Sequence, residues 1–191
     1  MKDAISLVLS AISVAISAYT FWLVQFNRGR LMMTRPTYLS LKRDPGPNWP
    51  KLFMRTCLYS TGAKGMAVEN LYLFVHQTLD RRFVFDYWGH TDSGQLTIGS
   101  GLYVGPTGIA NDHHFNFRSN PDEFLPEPGD YRIEVFATVA GKKPIKISEL
   151  EFVIDNHQSA ELIQIPSNRQ LDLVWDATQE KYIGEVRALL R

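Results

Sequence analysis

Asp112-His113-His114 places a carboxylate and two imidazoles in three consecutive positions, the densest set of metal-ligating and proton-transferring groups in the sequence. A zinc site needs three or four such ligands converging on one point. On a strand, adjacent side chains point to opposite faces, so only one of His113 and His114 can serve a given site. His76, His90 and His157 would have to be brought in by the fold. The plainer reading is two histidines in a polar strand, and we expect no metal and no cofactor. A metal-dependent sensor or enzyme built around His113 or His114 is the alternative.

Other chemistry is sparser. Glu69, Glu134 and Asp86 can form a carboxylate pair only if the fold assembles one, because no spacing links them. Gly99-Ser-Gly101 followed by Leu-Tyr-Val-Gly105 lacks the Lys-Ser/Thr of a phosphate loop and has no helix behind it, so it reads as a turn entering a strand. No nucleophile elbow, papain-type cysteine motif or His-Glu-x-x-His helix is present. Cys57, the single cysteine, excludes an intramolecular disulfide framework and reads as a buried thiol in a strand. Twenty basic residues balance twenty acidic ones, which argues against a nucleic-acid binder. The expectation is a non-catalytic protein.

The elements that must carry these residues begin with Ala4 to Asn27, which contains no charged side chain. About 20 apolar residues in a helix cross a hydrocarbon core of roughly 30 Å. A cleaved leader would end sooner at small residues, as at Ala15-Ile16-Ser17, whereas this run continues through Phe21, Trp22, Leu23 and Val24. We therefore read a permanent single-pass anchor over residues 1–30, and a secreted domain with a cleaved leader as an alternative. Ser6, Ser10, Ser13 and Ser17 fall within about 60° on one helical face, a candidate surface for self-association or for a membrane-protein partner. Serines bonded back to their own helix are the plainer account of that stripe. Trp22 marks an aromatic belt, and Arg28, Arg30 and Arg35 against Lys2 and Asp3 predict a cytoplasmic C-terminal side. Lys142, Lys143 and Lys146 would join those arginines on anionic headgroups, unless their hairpin tip is simply solvated.

Behind the anchor, short period-2 runs bounded by Gly, Pro, Asn and Asp predict an all-β antiparallel sandwich over residues 31–165. Tyr131 to Val139 alternates most clearly, and Leu150, Phe152 and Ile154 share one face of the next strand. Gly141-Lys-Lys-Pro144 reads as the hairpin tip between them, Asp44 to Asn48 as a loop, and Ala160 to Ile165 as a further strand. Residues 166–191 read as a terminal hairpin, with a helix over Thr178 to Leu190 as the alternative.

Leu125-Pro-Glu-Pro-Gly129-Asp-Tyr131 is the most specific local pattern. It resembles the corner that leads into a late strand of immunoglobulin-like and fibronectin type III sandwiches. That resemblance implies an immunoglobulin-like fold in which the Tyr131 hydroxyl returns to backbone a few residues upstream. There is no cysteine pair across the sheets and no evident early-strand core tryptophan. From Arg35 onward the chain also resembles uncharacterised bacterial single-pass membrane proteins, which implies an inner-membrane location and no known activity. Together these readings predict a membrane-anchored binding or scaffold module that acts through protein–protein contacts.

Overall fold

The structure, a computed structural model, describes residues 2–25, 29–43, 49–77, 81–92, 95–98, 101–117, 124–164 and 169–188. Arg28, the loop 44–48, Gly99 and Ser100 lie outside the described residues. Helix α1 spans Lys2–Gln25. Its Asp3–Gln25 stretch has a mean hydropathy of 2.0 and no part of it buried, so it is long and apolar enough to cross a membrane.

The rest is mostly antiparallel β-sheet, in two sheets. The larger runs, in spatial order, β13 (Lys181–Ala188), β12 (Arg169–Asp176), β2 (Tyr38–Arg43), β3 (Pro50–Ser60), β9 (Ile109–Asn116), β6 (Tyr87–Asp92) and β7 (Gln95–Ile98). A short β1 (Leu31–Met33) also pairs with β3. The smaller runs β11 (Ile145–Ile154), β10 (Gly129–Val139), β4 (Met66–Gln77) and β5 (Arg81–Phe85), with β8 (Leu102–Val104) on β4. Strands β1 and β2 lie along one edge of β3, opposite residues 58–60 and 50–55 respectively. Pro36 separates them because it has no N–H for the ladder. Its carbonyl accepts the Tyr182 hydroxyl at 2.7 Å instead.

Alternation decides which faces meet. In β3 the residues Leu52, Met54 and Leu58 point inward, and in β10 so do Tyr131, Ile133 and Val135; all are at most 2% exposed. The inward faces of both sheets contribute to one hydrophobic cluster. Each buried side chain of this size stabilises by roughly 1.5–3 kcal/mol, which offsets the entropy of ordering the strands.

Two expectations need correcting, the strand over Ala160 to Ile165 and the buried thiol of Cys57. Ile165 lies outside the described residues, and Ala160 to Gln164 are helical, because helix α2 covers Asn156–Gln164. Its start is a reciprocal cap, in which Gln158 N donates to Asp155 Oδ1 at 2.8 Å and Asp155 N donates to Gln158 Oε1 at 3.1 Å. Leu125 is 38% exposed while Phe124, at 2%, fills the core, because a tight turn around Pro126 (Glu127 N to Leu125 O, 2.8 Å) breaks the alternation. Cys57 is only half-buried on the outer face of its sheet. Trp88, on β6, is a core tryptophan at 2% exposure. The terminal hairpin forms as β12 and β13, with no helix over 178–188.

Candidate functional site

His113 lies inside the core and His114 outside it, as neighbours on β9 must. Register sets His90 opposite His113, and Trp88 opposite Phe115, on the inward face. Trp88 Nε1 donates to His113 Nδ1 at 3.2 Å, and the Trp88 indole stacks on both imidazoles. Accepting through Nδ1 leaves the neutral ring's proton on Nε2. Burial, with His90 adding to it, pushes the His113 pKa down to about 3. His114 faces outward against Phe53 and Thr91, and partial burial followed by the Lys51 charge pushes it down to about 4. Its neighbour Asp112 is taken up by Arg55 at 2.6 and 3.0 Å. Among the described residues no three His, Cys, Asp or Glu side chains come together as a metal site. Burial thus holds the His113 imidazole in its neutral form, with Trp88 stacked on it and on His90.

On α1 the residues Ser6, Ser10, Ser13 and Ser17 are exposed along one face. Ser13 Oγ donates back to the Leu9 carbonyl at 2.9 Å, and Thr20 does the same to Ile16 at 2.8 Å. Thr20, not singled out in sequence, extends the stripe to within about 80°. Trp22 is 53% exposed and stacks with Tyr19 at 6.4 Å.

The helix joins the sheets through a clamp. Lys64, in the β3–β4 connection, reaches the Gln25 carbonyl at 3.1 Å and its side-chain oxygen at 2.9 Å. A cation on the last-turn carbonyls is where the helix dipole favours one. Arg30 N donates to Thr61 Oγ1 at 2.8 Å, and Thr61 N returns to the Arg30 carbonyl at 3.0 Å. Between them Gly29 has φ 65° and lies so close to Gly62 that a Cβ would stand 2.1 Å from its amide nitrogen. Arg35 is not part of this junction; its guanidinium sits 4.0 Å over the Trp175 ring.

At the other end of the smaller sheet a cleft of about 1030 Å³ opens between the ends of β4, β10 and β11, the start of α2, and the β12–β13 turn. Its polar lining includes His76, Asp130, Arg132, Glu151, Gln158, Glu180 and Lys181. His76 Nε2 lies 3.0 Å from Glu134, which also receives Lys146 at 3.2 Å. Burial raises the Glu134 pKa, but these two hydrogen bonds outweigh it and hold the carboxyl below its ordinary value. The Tyr131 hydroxyl donates to the Glu127 carbonyl at 2.7 Å, fixing the corner beside the cleft. Gly129, with φ 142°, takes a backbone geometry there that other residues avoid. Asp176 Oδ1 receives the Thr178 and Gln179 amides, which hold its pKa down and shape the turn that carries Glu180. Sequence reasoning missed this cleft because its lining comes from five separate segments.

No family model matches the sequence, and no curated protein matches it. Among solved structures the chain is similar, at 10% identity and a TM-score of 0.35, to a family 123 glycoside hydrolase from Clostridium perfringens, described for the details of its glycolipid glycan hydrolysis. The likeness covers 66% of this chain and 27% of that one, so this chain spans only about a quarter of the length of the protein it matches.

Proposed function

We propose that this chain is a single-pass, membrane-anchored recognition module without catalytic activity. Its helix lies in the bilayer, and its sheets form an immunoglobulin-like sandwich that offers the charged cleft to a protein partner. The observation that carries the reading is α1 itself: an apolar 23-residue stretch with no part buried against the sheets, which water would not favour. The hydrogen bond from Tyr131 to Glu127 supports the immunoglobulin-like assignment. The serine face of α1 is a second contact surface, for another membrane protein or for a second copy. Arg28, Arg30 and Lys64 on the C-terminal side of the helix favour a cytoplasmic domain at a bacterial inner membrane.

Alkaline extraction of membranes from cells that make the full chain tests the anchor. We expect the chain to stay in the pellet at its full intact mass. Release into the supernatant, or a mass short of residues 1–17, would overturn the anchored reading. Crosslinking followed by pull-down from the same membranes then tests recognition. Charge-reversed Arg132 and Glu151 together should lose the captured partner.

A further inference from the structure

The end of the sheet domain that faces α1 differs in charge from the rest of the chain. The chain carries twenty acidic and twenty basic residues. Yet the segments 29–34, 61–68, 101–108 and 137–147, which form this end, contain no Asp or Glu, and Glu69 lies just beyond them. Strand register gathers these segments: Met66 to Val68 pair with Val104 to Leu102, Val139 pairs with Val68, and Ala140 N donates to the Ala67 carbonyl at 2.9 Å. Gln25 at the helix end, Lys64 and Lys142 line one hollow of about 300 Å³. The turn after β10 therefore hangs beside the point where the helix meets the domain. Lys142 and Lys143 are exposed on it. Lys146 is not available in the same way, because Glu134 and Glu149 hold it. Tyr103 is 64% exposed, with its ring against Gly65. Exposed cations beside an exposed tyrosine are the composition of a lipid headgroup interface.

We propose that this end docks on the bilayer surface and binds anionic lipid headgroups through Arg30, Lys142 and Lys143, with Tyr103 seated among them. The proposal rests on the reading of α1 as a membrane span. The clamp ties the docking surface to the helix, so the basic turn meets the leaflet at no cost in association entropy. Each exposed cation near an anionic surface strengthens attachment by about fivefold.

The full chain is reconstituted into vesicles of phosphatidylcholine alone, and into vesicles containing about one-third phosphatidylglycerol. Flotation reports whether the helix inserts, and amide exchange across 139–144 reports whether the turn is covered. We expect flotation with both lipids, and exchange several-fold slower over the anionic vesicles. The difference should vanish in Lys142→Gln/Lys143→Gln and in high salt. Lys142→Glu/Lys143→Glu should exchange faster over anionic than over neutral vesicles. Equal exchange with both lipids in floating protein would overturn the docking while leaving the anchor standing. Failure to float would overturn both.

Discussion

Two ends of the same domain each hold a residue in the left-handed backbone region, and they solve the problem differently. At the helix junction it is Gly29, with φ 65°, pressed against the Gly62 backbone. At the cleft it is Glu180, with φ 51°, exposed in the β12–β13 turn. The first position needs glycine twice over, for its dihedral and for its space. The second needs only the dihedral, and a carboxylate side chain stands there at a cost of about 1 kcal/mol. One end is built by close backbone contact, and the other displays a charge.

The largest expected effect breaks the first of these. Gly29→Ala should open the clamp and raise amide exchange at Arg30 and Thr61 by on the order of 30–100-fold, or about 2–3 kcal/mol, while amides of β10 stay protected. Unchanged exchange at Thr61 would show that the junction is looser than its geometry implies.

Acid should act on the core shared by both ends. In the fold the His113 imidazole stays neutral down to about 3, against an ordinary value of 6.5. Between those values the unfolded chain binds more protons, so stability falls as pH drops below about 6.5 and the loss is complete near pH 3. At pH 5 that single group costs about 2 kcal/mol. His114, held near 4, adds to the loss. Urea midpoints of the micelle-bound chain at pH 7 and pH 5 measure it. His113→Leu should reduce the pH dependence to the part that His114 supplies, whatever it does to stability at pH 7, and an unchanged slope would remove His113 as a source.

The smallest effect has the opposite sign. Glu180→Gly should leave the clamp untouched and stabilise the terminal hairpin by about 0.5–1 kcal/mol, read as a higher urea midpoint at pH 7. A loss of stability would mean that the Glu180 side chain contributes more to the cleft than its backbone strain removes.

Helix α1 was legible in the sequence because an uncharged apolar run of that length has few other meanings. Strands β10 and β11 were legible through strict alternation. Strand β6 was not, since Tyr87-Trp-Gly-His-Thr-Asp92 mixes polar and aromatic residues and buries Trp88 beside His90. The missed helix α2 carried a readable signal, the Asp155-x-x-Gln158 cap, which the apolar residues after it obscured. The imidazole pair drew notice for chemistry, yet what decides its state is burial, and burial follows from strand partners that spacing along the chain does not reveal. The cleft was illegible for the same reason.

On the proposed reading of α1 as a membrane span, the clamp would make the domain a lever rather than a tethered float. From Val68 to Gln77 the smaller sheet extends about 30 Å, at roughly 3.3 Å per residue, between the junction and the cleft. A 10° change in helix tilt, passed through the clamp, would swing the cleft by about 5 Å over that length. Bilayer thickness, to which a spanning helix adapts partly by tilting, would then be a variable that the far end of the protein feels.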